Sequence, residues 1–160
     1  MVAFFCLFYP MLLSSLFAFL HFIFAFGVIS SIIYEKILLK KQISRQIGDR
    51  IRKVDGFYGL SAILVLVIGF ARVLYFEKGS EFYFSNPFFH LKLGLFVVIG
   101  LLSIYPTIRF MKWKKLFVDQ ETIALPDKEF LLIRRILNSE IALSILLLLS
   151  ASLMAKGLQL

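Results

Sequence analysis

The first charged residue of this 160-residue chain is Glu35, and residues 1–34 contain none. About 20 consecutive apolar residues are enough to cross the hydrocarbon core of a bilayer. A charge-free run of this length therefore predicts a transmembrane helix with a short interfacial stretch before it. The run is too long for the apolar region of a cleaved signal peptide, and no basic residues precede it, so we expect the helix to be retained.

Three further apolar stretches of about 20 residues follow the first one. The four predicted spans cover residues 12–34, 57–76, 88–110 and 136–155. Apolar side chains make up 60% of the chain, which is more than a soluble domain of this length buries. The sequence therefore predicts an all-α integral membrane protein, with a single domain over residues 1–160 that folds as a four-helix up-down transmembrane bundle.

Basic residues between the spans predict the orientation of the bundle. Seven Lys and Arg residues lie in or beside the segment between the first two spans, and seven lie in or beside the segment between the last two. The remaining loop, 77–87, contains one basic residue, Lys78. Because basic loops stay in the cytoplasm, we expect both basic segments inside and both termini outside (N-out/C-out). The net charge of +8 then reflects topology, and nucleic acid is not an expected partner.

The first basic segment has a helical pattern of its own. Ile43, Ile47 and Ile51 recur at helical spacing with basic residues between them. This pattern is typical of an amphipathic helix that lies on the head groups or extends the first span. We expect Gly48 to end this helix and Asp55 to cap the second span.

Ionisable residues inside a span are costly, so they mark candidate functional sites. Counted at about 1.5 Å per residue from the cytoplasmic ends of the spans, four of them lie roughly 21 to 28 Å deep, in the outer third of a core about 30 Å thick. They are His21, Arg72, Lys92 and His90. Histidine beside two cations suits an anionic cofactor such as haem, another porphyrin or a quinone, or a lipid phosphate. Alternatively, Arg72 and Lys92 extend to the head groups, which requires no ligand.

Haem b is one candidate cofactor for this group of residues. His21 and His90 differ in depth by roughly 7 Å on the same count, which disfavours a bis-histidine haem. His21 as a single axial ligand of the haem iron, with the propionates directed toward Arg72 or Lys92, is the simpler geometry. No other metal site is expected, since Cys6 is the only cysteine.

Two carboxyl groups lie nearer the cytoplasmic ends of the spans. Glu35 ends the first span, and Glu140 lies roughly 8 Å inside the fourth. Either these groups form a proton relay, or they are structural ion pairs with Arg109, Lys36 or a neighbouring basic residue. We expect Glu35 and Glu140 to meet if the first and fourth spans are neighbours in the bundle.

Several strings of the sequence resemble one bacterial family. They are DGFYGL at 55–60, GFARV at 69–73, EKG at 77–79, NP at 86–87, and the stretch from LLSIYPT at 101–107 to Trp113. Together they are similar to the predicted inner-membrane proteins of domain of unknown function 2214, over nearly the whole chain and including His21 and Glu35. This resemblance implies four spans in a bacterial inner membrane, but no activity. More distantly, the architecture resembles the HemJ-type protoporphyrinogen oxidases, which bind haem.

Two functions of different kinds are compatible with these features. In the first, the protein binds haem, another porphyrin or a quinone in the outer half of the bundle. In the second, it is a non-enzymatic membrane scaffold or a small transporter subunit. Candidate partners beyond the lipid bilayer are a second copy of the chain or another membrane protein. The sequence has no phosphate-binding glycine loop and no nucleophile paired with a base, and it does not decide whether the protein is an enzyme.

Overall fold

The computed structural model describes residues 2–76 and 80–155. Its helices and strands, in chain order, are α1 (Val2–Leu38), β1 (Gln42–Ser44), α2 (Arg45–Ala71), α3 (Ser80–Ser85), α4 (Pro87–Leu116), β2 (Thr122–Ala124) and α5 (Asp127–Ala155). A π-helical turn, Arg72–Phe76, continues α2. Four long helices therefore account for most of the described chain, and the strands are short.

Each long helix carries one of the four predicted spans, and the second span continues through the π-helical turn after α2. Within the described residues, the segments long and apolar enough to cross a membrane are Met11–Leu38, Arg45–Phe76, Pro87–Leu116 and Asp127–Met154. The prediction of an all-α membrane protein with four transmembrane helices is confirmed. The side of the membrane that each end faces stays a prediction.

The helices pack as two pairs that together form the bundle. α1 lies along α2 and α4 lies along α5, while the contacts between α1 and α5 and between α2 and α4 are less extensive. The first and fourth spans are therefore neighbours. Large apolar side chains such as Phe26, Ile63 and Leu101 are exposed on the outer faces, which suits contact with lipid tails.

The two basic segments meet in a small antiparallel sheet. Ile43 of β1 is opposite Ile123 of β2, and both side chains are buried. Beyond the strands, the backbone N–H of Leu125 donates to the carbonyl of Lys41 at 2.9 Å. Both basic segments therefore lie at one end of the bundle, which we call the sheet end.

The second span begins earlier than its apolar residues suggest. Ser44 is the N-cap of α2 and accepts a hydrogen bond from the backbone N–H of Ile47. The helix then runs without a break through Gly48, where the ring of Phe117 takes up the space that a larger side chain would need. The amphipathic pattern therefore belongs to the first turns of α2. The predictions that Gly48 ends a helix and that Asp55 caps one are wrong.

The most completely buried apolar side chains lie at and near the sheet end. They are Ile32, Ile43, Ile51, Phe110, Trp113, Ile133 and Leu137. The strand β1 and all four long helices contribute to this group, so the sheet and the helices share one core. Close packing here fixes the helix segments that carry the candidate site.

Candidate functional site

Four carboxyl side chains are buried among the described residues, and three of them, each on a different long helix, form one group, while the fourth, Glu129, is paired with Arg109. Glu35 of α1 has 3% of its surface exposed, Asp55 of α2 has 9%, and Glu140 of α5 has 1%. The charges of Asp55 and Glu140 are close enough to act on Glu35, and that of Asp55 acts on Glu140. The structure therefore brings Glu35 and Glu140 together and adds Asp55, a group that we call the carboxyl cluster.

The helical repeat explains why these side chains point inward. On α2 the buried residues Ile51, Asp55 and Tyr58 follow one another at intervals of three or four, the spacing that keeps side chains on one helix face. Glu140 continues the buried stripe of Ile133 and Leu137 on α5 in the same way. In each helix the carboxyl group occupies a position that would otherwise hold an apolar core residue.

Hydrogen bonds satisfy only part of the carboxyl cluster. The hydroxyl of Thr107 donates to Oδ1 of Asp55 at 2.6 Å. By contrast, Oε1 of Glu35 and Oε1 of Glu140 are buried and have no hydrogen-bond partner among the described residues. Tyr58 lies beside Ser103 and within range of all three carboxyl charges. The cluster therefore has more acceptor atoms than donors.

The basic residues expected to neutralise the cluster lie elsewhere. Arg109 donates from Nε to Oε1 of Glu129 at 2.8 Å and makes a second hydrogen bond to Oε2 of the same carboxylate. The indole N–H of Trp113 donates to Glu129 as well, at 3.0 Å. Lys36 is exposed. Within the described residues, neither Glu35 nor Glu140 belongs to an ion pair.

Two of the four outer residues, His21 and Arg72, lie where α1 packs against the end of α2. Cε1 of His21 comes within 3.1 Å of the place where a Cβ on Gly69 would lie, so the absence of a side chain there lets the imidazole approach the backbone of α2. The guanidinium of Arg72 lies 6.0 Å from the centre of the Phe22 ring, within the range of a cation–π contact. His21 and Arg72 therefore both lie at the α1–α2 contact.

Lys92 and His90, the other two, have different surroundings. The ammonium of Lys92 lies 5.3 Å from the centre of the Phe89 ring and 3.9 Å from the sulfur of Met154 in α5. His90 is exposed, and its Nε2 is 2.8 Å from the backbone carbonyl of Phe84 in α3. This contact ties the start of α4 to α3.

The chemistry available to the carboxyl cluster is the exchange of protons. Within residues 2–76 and 80–155, no three His, Cys, Asp or Glu side chains are placed to hold a metal ion. Carboxyl groups at this burial can store a proton, and the hydroxyl groups of Thr107 and Tyr58 can donate hydrogen bonds to them.

Three members of this site were not predicted as functional from the sequence: Asp55, Tyr58 and Thr107. Asp55 was interpreted as a cap because the apolar part of the second span begins just after it. The available signal was the spacing of Asp55 and Tyr58 behind Ile51, which continues the helical stripe of the amphipathic segment.

Comparison with known proteins supports the membrane assignment. The profile of the family described as predicted membrane protein (DUF2214) matches residues 13–159. The chain belongs to this family. The match includes every residue described in this candidate site, from His21 to Met154. No curated protein and no solved structure gives a significant match, and the architectural likeness to the HemJ-type oxidases stays a prediction.

Proposed function

We propose that the protein is a small membrane transporter, or a subunit of one, in which Glu35, Asp55 and Glu140 take up and release protons. The observation that carries this proposal is a pair of buried carboxylate oxygens, Oε1 of Glu35 and Oε1 of Glu140, for which the described part of the chain supplies no hydrogen-bond partner. The proposal places the protein in a bacterial inner membrane, with the sheet end in the cytoplasm.

The energetic argument concerns charge inside the bilayer. Removing an ionised carboxylate from water costs several kcal/mol unless a counter-charge or several hydrogen bonds offset it. Arg109 is already paired with Glu129, and carboxylates close to one another also repel. Binding protons removes both penalties, and releasing them restores both. The cluster therefore favours proton exchange over a fixed structural role.

Infrared difference spectroscopy tests proton binding without knowledge of a transported substrate. We expect the purified protein to show a carbonyl stretch of neutral carboxylic acid at pH 7 that disappears at high pH. Glu35→Gln and Glu140→Gln should each weaken this band. Glu121→Gln is the matched control, because Glu121 is an exposed carboxylate at the sheet end.

Proton movement is the second measurement. Proteoliposomes with an internal pH dye should acidify under an imposed gradient, and Glu140→Gln should abolish that change while the variant stays folded. A wild type that shows neither the infrared band nor any proton movement would favour the scaffold alternative.

A second candidate function is binding of an anionic cofactor, haem b, another porphyrin or a quinone, at the opposite end of the bundle. It is supported by the proximity of His21 to Gly69, one turn before Arg72 on the same helix. The absorbance spectrum of the purified protein tests this function, with His21→Ala expected to lose the bound chromophore. A colourless preparation from which no porphyrin or quinone can be extracted would contradict it.

A further inference from the structure

A groove opens on the side of the bundle between α2 and α4. Its volume is about 460 Å³, and its lining includes Asp55 and Gly59 from α2 and Ser103, Thr107, Ile108 and Met111 from α4. The groove exists because α2 and α4 make few direct contacts and because Gly59 has no side chain. A Cβ at Gly59 would meet no atom within 4 Å.

The walls of this groove are apolar and face outward. Ile104, Ile108 and Met111 are all exposed, and they belong to a helix long and apolar enough to cross a membrane. The groove therefore opens toward lipid tails rather than toward water, so a molecule that enters from the side needs an apolar portion.

The lining of the groove includes one acidic residue, and a basic residue directly follows the lining in the sequence. Asp55 belongs to the lining and is only 9% exposed, so it lies on the floor, with the hydroxyl of Thr107 bound to its Oδ1. On the sheet-end side, exposed Lys112 directly follows Met111 of the wall. A ligand that matches this arrangement has a positively charged hydrogen-bond donor that reaches Asp55 and a negatively charged group near Lys112.

We propose that this groove binds a phospholipid with a primary ammonium head group. Its ammonium donates hydrogen bonds to the carboxylate of Asp55, its phosphate lies near Lys112, and its acyl chains follow the apolar wall. Charge complementarity favours this occupant, because an anionic head group would place only negative charge against Asp55. The lipid site shares Asp55 with the proposed proton cycle but requires no proton transfer by Glu35 or Glu140. Loss of the lipid preference in Gly59→Leu with an unchanged infrared band would therefore separate the two proposals.

Native mass spectrometry of the protein released from bilayers of defined composition tests the site. The bilayers contain equal amounts of phosphatidylethanolamine, phosphatidylcholine and phosphatidylglycerol. Choline keeps the positive charge but has no N–H donor, so we expect phosphatidylethanolamine to be retained about tenfold over both other lipids, the ratio that corresponds to about 1.4 kcal/mol.

Two variants and one control locate the bound lipid. Asp55→Asn removes the negative charge, and Gly59→Leu fills the groove without touching the carboxyl cluster; each should remove the preference. Gly94→Leu is the control, since Gly94 is an exposed α4 residue with open space beside it and lies outside the groove. It should retain the wild-type preference. If Asp55→Asn fails to fold, Gly59→Leu decides the question.

Two results would overturn the proposal. Equal retention of the three lipids by the wild type would show that the groove does not distinguish between their head groups. A dimer that Gly59→Leu dissociates would show that a second copy of the chain occupies the groove instead.

Discussion

Thr107 of α4 donates a 2.6 Å hydrogen bond to the carboxylate of Asp55 in α2. This bond joins α2 and α4, which contact each other much less than α2 contacts α1 or α4 contacts α5. Because Asp55 is 9% exposed, this bond acts in surroundings where little water competes for the carboxylate. The same pair also forms part of the floor of the groove, so it couples the carboxyl cluster to the lipid-facing side of the bundle.

Thr107→Val removes this bond while keeping the shape of the side chain. Hydrogen bonds to charged groups contribute about 1.5–3 kcal/mol, so we expect a loss of stability in that range. Asp55→Asn should weaken the effect of Thr107→Val, giving a coupling of about 1 kcal/mol in a double-mutant cycle measured by unfolding in detergent. Thr122→Val, at an exposed position of β2, is the control. Strict additivity of the two changes would contradict a direct bond between these residues.

Glu129→Gln tests the ion pair that replaces the expected contact between Arg109 and Glu140. Glu129 accepts hydrogen bonds from both Arg109 and Trp113, so its neutralisation leaves the guanidinium without a counter-charge. We expect a loss of about 1–3 kcal/mol in the free energy of unfolding. Glu121→Gln removes an ion pair with Arg45 in which the carboxylate side chain is 83% exposed, and it should cost less than about 1 kcal/mol. Equal losses for the two variants would contradict this difference.

The spans were predictable because membrane crossing depends on local apolar length, which no tertiary contact can supply or remove. The ion pair of Arg109 with Glu129 was not predictable, because it depends on the register of α4 against α5. That register brings Glu129, in the first turn of α5, to Arg109 and Trp113. Glu140 lies three helical turns further along and meets α1 and α2 instead. Helix packing, rather than the sequence of either helix alone, decides which carboxylate receives the counter-charge.

Gly48→Ala and Gly56→Ala should change stability in opposite directions although both lie in α2. At Gly48 a Cβ would overlap the ring of Phe117, which is itself buried, so we expect a loss of about 1–3 kcal/mol. At Gly56 a Cβ would meet nothing within 4 Å, and alanine should stabilise the helix by about 0.4–1 kcal/mol. Thermal unfolding in one detergent compares them. A stabilising Gly48→Ala would mean that Phe117 does not pack against this turn.

Cysteine labelling in intact cells tests the orientation and the sheet together. In a Cys6→Ser background, Gln46→Cys, Asp119→Cys and Glu81→Cys each place one thiol at an exposed position. Gln46 and Asp119 lie close to β1 and β2, which pair at the sheet end, so both should react with a membrane-impermeant maleimide only after the membrane is permeabilised. Glu81, in α3 between the second and third spans, should react without permeabilisation, because the positive-inside rule places the sheet end in the cytoplasm. If all three sites behave in the opposite way, the orientation is the reverse of the predicted one, and the fold is not contradicted. Labelling of Gln46 and Asp119 from different sides would contradict the fold itself, since paired strands cannot lie on opposite sides of the bilayer.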